Sequence, residues 1–266
     1  MTRTKQLIEA VNKRVLLLDG AMGSLIQQYK LTESDFRGKR FANHQAQLQG
    51  NNDILSITRP DVINSIHKQY LEAGSDIIET NTFNSTSVSQ ADYKTEDFVY
   101  EMNKAAAQLA REIALSYSTD DKPRFVAGSM GPTNKTTSLS PDVNNPGFRA
   151  ITFDEMADAY SEQTAGLLDG GVDILLVETV FDTLNAKAAL FGIDRELKKR
   201  GLPDFPVMIS VTLADKGGRT LSGQTLEAFI ISISHYPLFS VGLNCSFGAT
   251  QLRTFVEELE IGRAHV

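Results

Sequence analysis

About six short apolar segments alternate with longer amphipathic segments along this chain, and this alternation limits its fold more than any other sequence feature. The apolar segments are rich in β-branched residues, which is typical of strands that are covered on both faces of a parallel sheet. They span residues 15–19, 76–80, 124–128, 173–178, 207–211 and 239–244. Repeated βα units of this kind predict an α/β protein with a parallel sheet.

The segments between the predicted strands carry helix boundary signals. Pro60 stands where the first turn of a helix tolerates proline, and Gly74 closes the same segment. Thr152 and Glu155 predict a capping box at the start of another helix. A third helix is predicted for Thr183–Arg200, whose cationic last turn suits the helix dipole. Two further helices are predicted at 226–235 and 251–260.

A (βα)8 TIM barrel is favoured over a doubly wound open sheet. The open sheet usually carries the pattern G-x-G-x-x-G after its first strand, and the segment 19–23, Asp-Gly-Ala-Met-Gly, does not match it. Six units do not close an eight-stranded barrel, because closure requires every strand to be paired on both sides. The sequence therefore predicts a barrel truncated to about six βα units over residues 1–260, without strands seven and eight.

The last six residues, 261–266, do not continue the periodicity of the helical segment before them. They can be encoded by the first bases of a widely used sequencing adapter, whose next triplet is a stop. We interpret 261–266 as a non-native tail and expect the natural reading frame to continue after Glu260. A frayed natural terminus is the alternative.

The charge balance disfavours two classes of partner. The formal net charge is −7, whereas nucleic acids and anionic membranes select basic surfaces. No apolar run approaches the roughly 20 residues that a membrane-spanning helix needs. The single cysteine, Cys245, cannot form an internal disulfide, which suits a reducing compartment. The sequence thus predicts a cytoplasmic globular protein that binds neither nucleic acid nor membrane.

Candidate functional residues follow from the barrel prediction, because active sites of this fold lie at the carboxyl ends of the strands. Two or three acids around one barrel mouth would suit a cationic group such as a substrate ammonium. A strand-end carboxylate that caps a loop or forms a structural ion pair is the alternative. The polar residues at the predicted strand ends are Asp19, Glu79, Thr80, Asn81, Ser129, Glu178, Thr212, Asn244 and Cys245.

Cys245 has two interpretations. A lone cysteine is most often a small buried apolar residue, but the position of Cys245 at the end of the sixth predicted strand favours a functional role. Cys245 does not form a zinc site by itself, since zinc takes three or four protein ligands. The four histidines have no mutual spacing that would supply the others; they are His44, His67, His235 and His265.

Four motifs at these strand ends resemble those of the homocysteine S-methyltransferase family: 18–23, 78–83, 177–179 and 242–245. Within that family, six stretches resemble the homocysteine-binding module of cobalamin-dependent methionine synthases. They are 36–38, 50–53, 131–134, 140–143, 181–187 and 218–224, and the resemblance extends from about residue 5 to residue 260. The resemblance implies methyl transfer to L-homocysteine, giving methionine.

The resemblance also implies roles for individual residues. Asp19, Gly20 and Thr80 would line the substrate pocket. Glu178 would accept hydrogen bonds from the homocysteine ammonium. Asn244 is expected to bind the substrate as well.

Cys245 matches the first of three thiolates that hold a catalytic zinc in the family, and the adjacent cysteine pair that supplies the other two has no counterpart in this chain. Zinc would deprotonate the homocysteine thiol, which is mostly protonated at neutral pH. The resulting thiolate would take its methyl group from methylcobalamin, which methyltetrahydrofolate restores. We therefore expect folate, cobalamin and reactivation modules in cis in the whole enzyme, and negligible zinc affinity and activity for this chain alone.

Two other functions stay open. A cobalamin-independent homocysteine S-methyltransferase would use a sulfonium or betaine donor, and the stretches typical of methionine synthase disfavour it. A non-catalytic barrel that binds a small molecule would have no affinity for homocysteine even when complete. For any of these functions we expect poor solubility, because the first and sixth strands would have unpaired edges.

Overall fold

The computed structural model describes residues 2–263, and side chains within 2–260. Helices and strands alternate over most of this range, as the sequence pattern predicts. In chain order the elements are α1 (Arg3–Lys13), α2 (Met22–Gln28), α3 (Glu33–Arg37), α4 (Leu55–Thr58), α5 (Pro60–Ala73), β1 (Ile77–Glu79), α6 (Ser87–Gln90), α7 (Val99–Tyr117), β2 (Phe125–Met130), α8 (Phe153–Gly170), β3 (Ile174–Val180), α9 (Thr183–Arg200), β4 (Val207–Val211), α10 (Leu226–Ile233), β5 (Ser240–Leu243) and α11 (Ala249–Arg263).

The described strands form a five-stranded parallel sheet in the order β1-β2-β3-β4-β5. Ile77 of β1 pairs with Phe125 of β2, and Val211 of β4 pairs with Leu243 of β5. Every residue of β2 is buried, whereas every residue of β5 is half-buried, as expected for an inner and a terminal strand. The prediction of an α/β protein with a parallel sheet is confirmed.

The first predicted strand, 15–19, is not a strand in the structure. Leu18 forms an isolated parallel bridge with Ile77, and the carbonyl of Leu17 accepts hydrogen bonds from the amides of Asp76 and Ile77 at 2.8 and 3.1 Å. Val15 is 84% exposed and Leu17 is 55% exposed. The prediction that this segment is covered on both faces was therefore wrong. Its apolar residues resemble an inner strand, but the described residues pair with it on one side only.

The predicted helix boundaries are largely confirmed, because they depend on local hydrogen bonds. Gly74 ends α5 in the left-handed region at φ 113°, and Gly201 ends α9 at φ 68°. Thr152 and Glu155 form the predicted capping box, with the Glu155 carboxylate accepting from the Thr152 amide at 2.8 Å.

None of the described helices is long and apolar enough to span a membrane.

The end of the chain differs from its prediction. Helix α11 continues to Arg263, so residues 261–263 extend the helix that the sequence pattern ends at Glu260. The remaining residues of the predicted tail, 264–266, lie outside the described residues. The non-native origin of 261–266 stays a prediction.

The chain divides into two compact units. Unit 1 comprises Met1–Ser129 and Glu162–Leu175, and unit 2 comprises Met130–Ser161 and Leu176–Val266. Helices α2 to α5 and α7 share an apolar core in unit 1. Its buried members are Ile26, Phe36, Phe41, Leu48, Ile54, Leu55, Val62, Ile63, Ile66, Val99 and Met102.

Buried aspartates tie down the amino ends of two strand segments in unit 1. Asp173 precedes β3 and accepts from Arg3 at 3.0 Å and from Arg111 at 2.6 Å. Asp76 precedes β1 and accepts from both terminal nitrogens of Arg14 at 2.7 and 2.6 Å. Ligand sites of parallel α/β sheets lie at the carboxyl ends of the strands, opposite to these ion pairs.

Candidate functional site

In unit 1, Asp19 lies at the start of the turn that connects the 15–19 segment to α2. Its carboxylate accepts from the backbone amide of Glu79 at 3.0 and 3.1 Å, which ties this turn to the carboxyl end of β1. Gly20 follows and is exposed. The hydroxyl of Tyr70 lies 3.6 Å from the position that a Cβ atom would take on Gly20. Asp19 and Gly20 therefore follow the 15–19 segment, which is not a strand, and Asp19 links them to the carboxyl end of β1.

The same place carries concentrated negative charge. Burial, followed by the charges of Asp19 and Glu79, raises the pKa of the Tyr70 hydroxyl. The hydroxyl donates a hydrogen bond to the carbonyl of Ala21 at 3.3 Å. Two carboxylates close enough to affect one phenol form an environment that favours a cation such as an ammonium group.

Thr80 is buried, and its hydroxyl forms hydrogen bonds with groups of neighbouring strand ends. Thr80 Oγ1 accepts from the Ser129 amide at 3.0 Å and lies 2.6 Å from Thr82 Oγ1. Thr82 Oγ1 donates its own hydrogen to the Ser129 carbonyl at 2.7 Å. The Thr80 hydroxyl must therefore donate to Thr82, and one acceptor position of its oxygen is left for another group.

A buried polar network of unit 1 was not identified as a site from the sequence. Asn51 and Gln90 exchange amide hydrogen bonds at 2.7 and 3.3 Å, and Thr95 Oγ1 donates to Gln90 Oε1 at 2.7 Å. Asn81, a predicted strand-end residue, donates to the Asn52 carbonyl at 2.7 Å. The Gly-Asn-Asn-Asp motif at 50–53 was the available signal, but its partners lie far away in the sequence.

In unit 2, Glu178 lies near the carboxyl end of β3 and is 9% exposed. It lines a small cavity of about 10 Å³, which is room for a single water molecule. Tyr160 and Asp182 line the same cavity. Burial, followed by the charge of Asp182, raises the pKa of the Tyr160 hydroxyl, which donates to the Gly131 carbonyl at 2.9 Å.

Asn244 follows β5 and joins three chain segments of unit 2. Its Oδ1 atom accepts from the Thr179 amide at 3.2 Å and from Ser210 Oγ at 3.1 Å. Its Nδ2 atom donates to Thr179 Oγ1 at 2.6 Å and lies 3.5 Å from Cys245 Sγ. The structure thus brings Asn244 together with Cys245 and with the residue that follows Glu178.

Cys245 is exposed and adopts the left-handed backbone conformation, with φ 60°. A zinc site needs three or four ligands, and no group of three or more His, Cys, Asp or Glu residues that could hold a metal occurs among the described residues. Cys245 is therefore a single potential ligand among the described residues, and one cysteine does not fit a zinc site by itself.

A second set of contacts that was not identified from the sequence anchors the loop after β2 to the start of α9. Ser138 donates through its amide and hydroxyl to Asp182 Oδ2 at 3.1 and 2.6 Å. Thr137 donates in the same way to Asn185 Oδ1 at 2.9 and 2.7 Å. Asp182 also caps α9 by accepting from the Leu184 amide at 2.9 Å. The cap is visible in the sequence, whereas the loop partners are not.

The candidate residues are therefore distributed over both units. Unit 1 holds Asp19, Gly20 and Thr80, and unit 2 holds Glu178, Asn244 and Cys245. Within each unit they occupy carboxyl ends of strands, or the equivalent end of the 15–19 segment.

Comparison with known proteins identifies both the fold and the family. The homocysteine methyltransferase MmuM from Escherichia coli is similar in its metallated, oxidized and apo crystal forms, with TM-scores of 0.72, 0.68 and 0.65 and identities of 20, 20 and 19%. These matches cover 97, 92 and 94% of this chain and 83, 77 and 79% of the MmuM chains, which shows a shared fold. The family model for homocysteine S-methyltransferases matches residues 16–266. Since that match includes nearly the whole sequence, the chain belongs to the homocysteine S-methyltransferase family.

Proposed function

We propose that this chain is the homocysteine-binding part of a methionine synthase of the cobalamin-dependent type. The observation that carries the proposal is the family match over residues 16–266, which supports methyl transfer to homocysteine. The six stretches that resemble methionine synthases support the finer assignment. The parallel sheet is consistent with part of a (βα)8 barrel, which we propose for the complete domain.

The proposed reaction forms a bond between the homocysteine sulfur and a methyl carbon, while the bond from that carbon to the donor breaks. The thiol proton must leave before or during this step, because the thiolate is the nucleophile. In the family a zinc ion supplies this activation, and Cys245 would be one of its ligands. The described residues do not complete such a site, so we assign this chain substrate recognition and not the methyl transfer step.

Each proposed recognition role rests on contacts within one unit. Glu178 is a buried acid at the end of β3, and we assign it the homocysteine ammonium. Asp19 stands next to Glu79 in a negative environment, and the exposed Gly20 leaves its backbone accessible to a ligand. Thr80 keeps one acceptor position on its hydroxyl oxygen, which is the position that we assign to the substrate.

The test is calorimetric titration of the whole chain with L-homocysteine. Replacing Glu178 with Gln removes the charge from a buried acceptor, so we expect the affinity to fall roughly 10- to 100-fold. The control is Glu227→Gln, which makes the same chemical change at an exposed position in the first turn of α10 and should leave the affinity unchanged. An unchanged affinity of the Glu178 variant would refute its role.

The donor requires a separate experiment, because homocysteine binding does not distinguish the two types of enzyme. Methionine formation from homocysteine should be measured with methylcobalamin and, in parallel, with a methylsulfonium donor. For this chain alone we expect formation with neither donor. Turnover with the sulfonium donor would replace the cobalamin-dependent assignment with the cobalamin-independent one.

A further inference from the structure

The side chain of Asn244 uses its complete hydrogen-bonding capacity within unit 2. The carbonyl oxygen accepts from the Thr179 amide and from Ser210 Oγ. The amide nitrogen donates to Thr179 Oγ1 and to Cys245 Sγ. An asparagine amide has two donors and two acceptor positions, so these four contacts leave none for a ligand. Direct substrate binding by Asn244, as expected from the sequence, would require one of them to break.

The backbone around this amide is strained. Thr179, Cys245 and Ser246 have φ values of 57, 60 and 59°, in the region that favours glycine. A β-branched threonine is an outlier there, and residues of this kind persist only where the surroundings impose the conformation. Two contacts of Asn244 reach the amide and the hydroxyl of Thr179, so this side chain supplies that constraint.

The strained residues lie at positions that the proposed function uses. Thr179 directly follows Glu178, so its backbone angles set the direction in which the chain leaves Glu178. Cys245 directly follows Asn244, and its sulfur lies 3.5 Å from the Asn244 amide nitrogen. The hydroxyl oxygen of the next residue, Ser246, lies 2.8 Å from the hydroxyl oxygen of Thr212 at the end of β4. Such strain often accompanies functional sites, whereas an ordinary contact between strand ends would not need it.

We propose that Asn244 is a positioning residue that holds Thr179 in the left-handed conformation, and thereby places Glu178, while it orients the sulfur of Cys245. This inference rests on the proposed function, because it assumes that Glu178 binds homocysteine. It differs from the expectation that Asn244 touches the substrate, and that difference is testable.

The first experiment is a double-variant cycle read by the affinity for L-homocysteine. Asn244→Ala removes the constraint on Thr179, and we expect the affinity to fall roughly tenfold. Glycine adopts the left-handed conformation without penalty, so Asn244→Ala should cost much less affinity in a Thr179→Gly background than in the natural chain. The double variant should recover to within about threefold of Thr179→Gly. Failure of this rescue would overturn the positioning role.

Ser210→Ala is the matched control, because it removes one hydrogen bond from the same Oδ1 atom and leaves the contacts with Thr179 and Cys245. Urea unfolding should show a loss of stability in this control and in Asn244→Ala, whereas only Asn244→Ala should lose homocysteine affinity. Equal losses of affinity in both variants would indicate a merely structural role.

A second readout does not depend on homocysteine. The three-bond coupling between the amide and α protons of Thr179 reports φ and is measurable by nuclear magnetic resonance on threonine-labelled protein. We expect the value of this coupling to change in Asn244→Ala and to remain unchanged in Ser210→Ala. A chain that fails to bind homocysteine but shows this change would refute the proposed function and keep the positioning role. An unchanged coupling in Asn244→Ala would refute the positioning role.

Discussion

His67 and Asp53 are fully buried ionisable side chains in unit 1, and burial shifts their pKa values in opposite directions. Neither ring nitrogen of His67 has a hydrogen-bond partner among the described residues, and burial lowers its pKa from 6.5 to about 4. Asp53 accepts from the Asn84 amide at 2.8 Å and from Ser85 Oγ at 3.0 Å. Burial nevertheless raises the pKa of Asp53 from 3.8 to about 6. Both shifts therefore favour the neutral form of the side chain more in the folded state than in the unfolded state.

We expect the two residues to have opposite effects on stability between pH 6.5 and pH 4. As the pH falls through this range, unfolded His67 gains a proton that the folded state does not take up, so stability decreases. Folded Asp53 gains its proton near pH 6, before the unfolded state does, so stability increases as the pH falls toward 3.8. Each contribution amounts to roughly 3 kcal/mol, so the two oppose each other in the natural chain.

Single substitutions should separate these effects. Between pH 6.5 and pH 4, the contribution of Asp53 alone would raise the stability of His67→Leu, and that of His67 alone would lower the stability of Asp53→Asn. The measurement is the free energy of unfolding in urea at several pH values. All other carboxyl groups contribute equally to both variants, so the difference between the two curves reports this pair. Parallel curves would contradict the prediction.

At the scale of elements, glycines permit close contact between helices. In unit 1, a Cβ atom on Gly170 of α8 would lie 2.4 Å from Ala107 Cβ and 2.6 Å from the Lys104 carbonyl oxygen, both of α7. In unit 2, a Cβ atom on Gly192 of α9 would lie 2.4 Å from the carbonyl oxygen of Ala157 in α8. Backbone atoms cannot move aside as a side chain does, so each of these helix pairs depends on its glycine.

We expect Gly192→Ala to destabilise the chain although alanine is the better helix former. The gain in helix propensity is about 1 kcal/mol, whereas overpacking costs typically about 1–3 kcal/mol and more when a backbone atom is in the way. The control is Gly23→Ala in α2, where the new Cβ would lie 3.8 Å from the nearest atom, on Asn52. Thermal unfolding should show a lower midpoint for the Gly192 variant and an equal or higher one for the Gly23 variant. A higher midpoint in both would contradict the contact argument.

At the scale of the whole molecule, exposed apolar residues accompany the terminal segments of the sheet. Val15 and Leu17 are 84 and 55% exposed beside β1, and the four residues of β5 are half-buried. An unpaired edge with apolar side chains is a surface on which another chain can add. The net charge of −7 makes copies of the chain repel one another as a whole, but it is not concentrated on the segment that contains Val15 and Leu17.

We therefore expect this chain to associate with itself as its concentration rises, which sedimentation velocity would measure. Val15→Lys should reduce the association, because a charge at a sheet edge opposes pairing with another chain. Val143→Lys makes the same change at a residue that is 91% exposed in the loop after β2, away from any strand, and should have little effect. A similar reduction by both variants would show that net charge, and not the edge, controls association.

The sequence by itself determined the features of this protein that depend on local patterns. The positions of β1 to β5 follow from continuous apolar runs, and the ends of α5 and α9 follow from Gly74 and Gly201. The family motifs include the strand ends where the candidate residues lie. A motif is a local stretch of sequence, so it can identify such residues directly. Asp19, Thr80 and Glu178 could be selected in this way without a structure.

Only the tertiary structure decided which candidate residues already use their hydrogen-bonding groups in contacts with other protein groups. The 15–19 segment is as apolar as a strand, but strand formation depends on pairing with distant residues, and the described residues pair with it on one side. Asn244 forms a hydrogen bond with Thr179, which is 65 positions away in the sequence, so no local sequence pattern predicts this contact. The left-handed backbone of Thr179 is likewise invisible in the sequence, because a β-branched residue disfavours it unless distant contacts impose it.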